Sequence, residues 1–143
     1  YLIKFILVVG CLFIITIGTA YYFKFQPRNF DNDFITLDNV NSVLFHHSLE
    51  SDTYNSSNRQ EVAEIYTLIN KMEVRYTQKF EETNNYNEVL FSADNNFFRK
   101  SYKFFDNGFV KVTENAGPNS IVSVYKLNNR GDLDHLLTMF ERD

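Results

Sequence analysis

Apolar and polar positions change rhythm along this chain, and the changes mark its parts. From Phe5 to Phe23 nineteen residues carry no charge, with Lys4 and Lys24 at the two ends. A helix of that length spans roughly 28 Å, the hydrocarbon thickness of a bilayer. No polar stripe interrupts it, so it does not read as one face of a soluble helix. Tyr21, Tyr22 and the two lysines stand where interfacial anchors belong. Residues 1–24 are therefore expected to be a transmembrane anchor or uncleaved signal segment, with residues 5–23 in contact with a lipid bilayer.

Two other export readings compete for the same residues. Gly18-Thr19-Ala20 offers small side chains to a signal peptidase behind an apolar stretch. Val8-Val9-Gly10-Cys11 resembles the lipobox of bacterial lipoproteins, which would make Cys11 a lipidation site. A lipoprotein turns polar after its cysteine, whereas Leu12-Phe13-Ile14-Ile15-Thr16-Ile17 continues the apolar run. A retained helix accounts for the whole segment.

The rhythm then becomes irregular. Residues 25–34, with Pro27, Asn29, Asp31, Asn32 and Asp33, read as a polar stalk, leaving 35–143 as one extracytoplasmic domain. A strand is expected in or around 34–48, clearest at Val43-Leu44-Phe45, and a polar loop over 50–58. The spacing of Val62, Ile65, Tyr66, Ile69 and Met72 predicts an amphipathic helix. Ser57-x-x-Gln60 and Asn58-x-x-Glu61 are both capping-box patterns at its start. Alternation of period two follows over 74–81, then in runs at 88–93, 97–105, 109–114 and 121–127. Leu133, Leu136, Leu137 and Phe140 predict a short last helix over 132–142.

One hairpin can be taken to its register. A two-residue turn at Asn107-Gly108 would set Phe104 against Lys111. A three-residue loop with Gly108 left-handed instead pairs Phe104 with Val110, Tyr102 with Val112 and Lys100 with Glu114. Since a one-residue slip turns every side chain over, the second register is expected. Its cost is Lys103 opposite Lys111. The fold class is thus α+β: an N-terminal transmembrane helix, then an antiparallel curved sheet of four to six strands. One main helix packs the sheet, and a short C-terminal helix closes the chain.

Composition narrows location more than chemistry. Beyond residue 24 there are eighteen acidic and twelve basic side chains, a net charge of −6. An acidic body gains nothing from an anionic cytoplasmic leaflet, so the domain is expected outside, on a single-pass cell-membrane protein. Cys11 is the only cysteine, and a disulfide-free exported domain fits a bacterial envelope. The order of segments, ending in Val124-Tyr125-Lys126-Leu127 and a short helix, resembles small membrane-anchored or lipoprotein-type extracytoplasmic domains of Gram-positive bacteria. That resemblance implies location and fold, not activity.

No catalytic constellation, cofactor motif or metal-ligand set is found. His46 and His47 are adjacent on a strand and point to opposite faces. Arg130-Gly131-Asp132 falls at a strand-to-helix turn, where Gly131 bends the chain and Asp132 is expected to cap the helix. Arg99, Lys100, Lys103 and Lys111 lie among aromatics on the hairpin, a pattern also met in nucleic-acid binders. The acidic balance and the external location argue against nucleic acid. The expected register puts Lys103, Phe105, Phe109 and Lys111 on one outward face, the candidate binding residues for an envelope protein or surface component. A non-enzymatic binding module is the leading expectation. The rival is a secreted or lipidated domain that inhibits or protects against an enzyme.

Overall fold

The computed structural model describes residues 1–30, 37–93 and 98–141, without the side chains of Leu37 and Ala116. It is α+β, with an apolar N-terminal helix, a curved antiparallel sheet, a main helix and a short C-terminal helix. Helix α1 runs Leu2–Lys24, and none of its residues is buried. Its length and apolar character meet the requirement for one membrane crossing, a test that a signal sequence also passes. Cys11 is a free, exposed thiol on it.

The sheet holds eight strands rather than four to six. They are β1 Arg28–Asn29, β2 Val40–His47, β3 Thr53–Ser56, β4 Glu73–Tyr76, β5 Tyr86–Ala93, β6 Phe98–Phe105, β7 Phe109–Ala116 and β8 Asn119–Leu127. Their order is β1-β4-β8-β7-β6-β5-β2-β3. The two additional strands are the short polar edges, β1 and β3. β1 lies in the segment read as a stalk, where Arg28 pairs with Val74 and Asn29 with Glu73. Phe30, only 5% exposed, follows at once into the core. Its ring meets those of Tyr102 and Tyr125 edge-on at 5.2 and 5.3 Å. The chain thus joins the folded body within a few residues of the end of α1. Residues 31–34 of the expected stalk, together with Phe97 and Arg142, lie outside the described residues.

Helix α2, Arg59–Lys71, buries Val62, Ile65, Tyr66 and Ile69 against the sheet, the stripe that the spacing predicts. Asn58 is its N-cap, accepting from the backbone N–H of Gln60 at 3.0 Å and of Glu61 at 3.4 Å. The reciprocal half of a capping box is replaced. Ser56 Oγ accepts from the Asn58 N–H at 3.2 Å, and the Glu61 carboxylate takes the hydroxyls of Ser56 and Tyr54. Those bonds hold the Glu61 carboxyl below its usual range, Ser56 contributing most. They also tie the edge strand β3 to α2.

Helix α3 runs Arg130–Phe140 and is capped by Asn129, whose side chain accepts from the Gly131 N–H. The Arg-Gly-Asp tripeptide is therefore the first helical turn, and Asp132 is not the cap. An Asn one residue before the turn satisfies the orphan donors first. At the other end of α3 Phe140 stacks on Phe45 of β2 at 4.0 Å.

Strand alternation aims Lys100, Tyr102 and Phe104 of β6 and Val110, Val112 and Glu114 of β7 at the helices. Val43, Val89, Phe91, Val74 and Tyr125 complete that inner layer. Lys100 is fully buried and pairs with Glu114. The Tyr102 hydroxyl has no hydrogen-bond partner among the described residues. Burial drives that phenol well above its ordinary value, with Tyr66, Glu114 and Tyr125 adding to the effect.

Candidate functional site

The outer face of the β6–β7 hairpin carries Lys103, Phe105, Phe109 and Lys111. The observed register pairs Phe104 with Val110, Tyr102 with Val112, Lys100 with Glu114 and Lys103 with Lys111, as the three-residue loop requires. Gly108 supplies the left-handed residue, with φ +85°. Its N–H donates to the Phe105 carbonyl at 3.0 Å, and its own carbonyl accepts from Leu127. The turn is therefore bonded into β8 as well as closed on itself.

A segment expected to be strand covers this face. Alternation over 74–81 predicts a strand to Glu81, but β4 ends at Tyr76. The Thr77 hydroxyl donates to the Lys79 carbonyl at 2.8 Å and accepts from the Lys79 N–H at 3.2 Å. This local turn competes with the sheet ladder and bends the chain away from it. Residues 77–85 then fold against the hairpin turn. Asn107 Nδ2 donates to the Glu81 carbonyl at 2.9 Å, and Thr83 Oγ1 donates to Asp106 Oδ1 at 2.6 Å.

The loop delivers Phe80 between the two hairpin phenylalanines, with ring centroids 5.5 Å from Phe105 and 5.8 Å from Phe109. Tyr86 closes on Phe105 from β5 at 5.6 Å. Phe105 is consequently only 3% exposed, so it supports the face from beneath instead of offering itself to a ligand. Phe109 stays partly exposed, and Lys126 lies over its ring at 5.6 Å.

The lysines resolve the repulsion that the register implies. Lys103 lies 4.7 Å above the Tyr86 ring and 4.0 Å from Glu88. Lys111 pairs with Glu82 of the covering loop. That bond holds the Glu82 carboxyl below its usual range, helped by the charge of Lys103. Both lysine side chains keep about a third of their surface in water, 34% and 31%. The result is a small aromatic floor rimmed by three cations, with Glu82 as an exposed counter-charge and Glu88 as one held by the Ser101 hydroxyl. Such a face can exchange the exposed Glu82 carboxylate for one on an acidic surface.

The other candidates separate. Alternation sends His46 and His47 to opposite faces of β2, and His47 Nδ1 accepts from the Leu49 N–H at 3.2 Å. Arg130 of the Arg-Gly-Asp tripeptide donates to the Asp106 carbonyl at 3.3 Å, so it braces the hairpin turn. Lys100, one of the four basic residues of the hairpin, faces the core. Sequence reasoning missed Phe80 and Glu82 as parts of this face. Their signal, a threonine two residues before Lys79, is too local to outweigh a strand-like alternation. No family model, no curated protein and no solved structure matches this chain.

Proposed function

We propose that this is a single-pass cell-membrane protein whose extracytoplasmic domain is a non-enzymatic binding module for an acidic envelope protein or surface component. The anchor reading is supported above all by one observation. Every residue of α1 is exposed, whereas the body it carries is packed without it. A helix with nineteen uncharged, mostly apolar residues in a row and no covering in its own protein needs covering by lipid. The binding reading is supported by the partly exposed side chains of Lys103 and Lys111 around the Phe109 floor. A tether raises the local concentration of such a face near the envelope, which makes weak contacts effective. The organisation of the chain resembles Gram-positive extracytoplasmic domains, and this function belongs to that setting.

Protease treatment of intact cells, with alkaline extraction of their membranes in a separate sample, tests the anchor. The protein is expected in the extracted membrane with its body cleaved from outside. A body protected until lysis, or a protein released by alkali, overturns the reading. For the face, Lys103→Glu with Lys111→Glu is expected to abolish sedimentation with isolated envelope and leave the melting temperature within a few degrees. Retained sedimentation removes the face from the function.

A second reading is favoured by where the fold begins. The first strand starts at Arg28, so cleavage after Ala20 would release the body intact as a secreted inhibitor or protective domain. The mass of the mature N-terminus separates the two.

A further inference from the structure

Beyond α1, three large apolar side chains among the described residues are conspicuously exposed: Leu49 at 68%, Ile121 at 46% and Val122 at 54%. Two of them are consecutive on β8. Neighbouring strand residues point to opposite faces, so exposure of both means that each face of the sheet is only partly covered there. The β7–β8 hairpin projects past the helices. Its edge is open before Val124 too, because β4 pairs with β8 only from Tyr125 to Leu127 and the Thr77 N–H adds one last bond, to the Val124 carbonyl at 3.4 Å.

The open edge meets the end of the apolar helix. Lys24 and Phe25 line one cleft with Val122, Ser123 and Val124. The backbone explains why. Arg28 pairs with Val74 antiparallel, so the chain before it runs back along β4 towards Thr77 and the open part of β8. Val122 is therefore level with Lys24, the charge that marks where the apolar helix meets water.

The projecting hairpin is also uncharged. Between Glu114 and Lys126 no ionisable acid or base occurs before Tyr125, and the turn itself is Gly117-Pro118, with Gly117 at φ +62°. In a body where charged residues are frequent, this segment approaches lipid without the cost of desolvating an ion.

We propose that the β7–β8 hairpin is a second membrane contact, lying at the bilayer interface with Ile121 and Val122 in the headgroup–acyl boundary. This rests on the reading of α1 as a retained anchor. The hairpin fixes the body's orientation, which a single flexible tether cannot do. The β6–β7 turn, at the opposite end of the same strands, then faces away from the lipid with Phe109 and Lys111. The contact is shallow, about 5–10 Å below the headgroup plane. The unpaired N–H and C=O groups of the β8 edge need water or headgroup partners and resist deeper burial.

The test uses full-length protein with Cys11→Ser, reconstituted in phosphatidylcholine–phosphatidylglycerol vesicles. An environment-sensitive fluorophore is placed in turn at Val122→Cys, Ile14→Cys and Leu49→Cys, and quenched by lipids brominated at defined depths. The Val122 label is expected to lose most of its emission to shallow bromines, and the Ile14 label to deep ones. The equally exposed Leu49 label is expected to lose none. Quenching at Ile14 without quenching at Val122 overturns the hairpin contact and leaves the anchor standing. No quenching at either removes the anchor reading as well. Disulfide-linked dimers of unlabelled Val122→Cys, with no quenching of the labelled protein, make a second copy the occupant and overturn the lipid contact. Ile121→Cys repeats the measurement on the other face of the strand, and loss of signal there too is expected.

Discussion

The two faces of the β6–β7 hairpin carry the same chemistry under opposite conditions. On the inner face Lys100 is completely buried and meets Glu114, 14% exposed, beneath α2. On the outer face Lys111 and Glu82 meet with 31% and 53% of their side chains in water. A buried pair must compensate for desolvation of two ions, and its geometry becomes compulsory once both are inside. An exposed pair loses little when it opens, because water and salt replace the partner. The inner pair therefore specifies the fold, and the outer pair is free to be exchanged. A binding face built from lysines needs the second arrangement.

The sharpest way to break this comparison is to remove one carboxylate from each pair. Glu114→Gln leaves the Lys100 ammonium without its charge partner and is expected to destabilise the protein by about 3–5 kcal/mol. Urea unfolding of the full chain in detergent micelles, followed by tyrosine fluorescence, measures it. The double change Lys100→Met with Glu114→Leu is expected to recover most of that loss, since an apolar pair of similar volume needs no desolvation. If Glu114→Gln costs no more than Glu82→Gln, burial does not separate the two faces and the comparison fails.

A middle-sized effect concerns the cover of the outer face. Phe80→Ala removes the ring that sits between Phe105 and Phe109. Phe80 is only half-buried, so the loss is expected near 1–2 kcal/mol, below the usual cost of a fully buried phenylalanine. Trypsin should then cut after Lys79 much faster, because the loop has lost its apolar attachment while keeping its bonds to Asn107 and Asp106. An unchanged cleavage rate would mean that these polar bonds alone hold the loop.

What the sequence makes legible follows the same division. The hairpin register could be read because opposite outcomes of a one-residue slip place Phe104 against Val110 or against Lys111, a large difference in burial. The stripe from Val62 to Ile69 was legible for the same reason. The strands that escaped notice, Arg28–Asn29 and Thr53–Ser56, are short polar edges whose pairing is decided by neighbours far along the chain. Thr53–Ser56 is held through Tyr54 and Ser56 on Glu61, contacts that no local pattern announces. The strand expected beyond Tyr76 failed where Thr77 bonds to Lys79 instead. That single turn converts Phe80 and Glu82 from sheet residues into the lid and the counter-charge of the candidate face. Lys103 and Lys111 were readable as neighbours, but their partners were not.

The smallest effect is the most informative about exchange. Lys111 holds the Glu82 carboxyl below its usual value of 4.5, and Ser56 and Tyr54 do the same for Glu61. A carboxyl whose folded value is depressed adds stability above its unfolded value and loses it as pH falls through the folded one. Stability is therefore expected to be level from neutral pH down to about 5 and to decline below about 4.5. Lys111→Ala should leave neutral stability almost unchanged, remove only the Glu82 share of the acid decline, and keep the Glu61 share. Raising salt from low to physiological should mimic Lys111→Ala in the parent protein, because that pair is open to screening. Neither change should touch the Lys100–Glu114 pair. A Lys111→Ala variant as unstable at neutral pH as Glu114→Gln would mean that the outer pair is structural and has no freedom to let its lysine go to an acidic ligand.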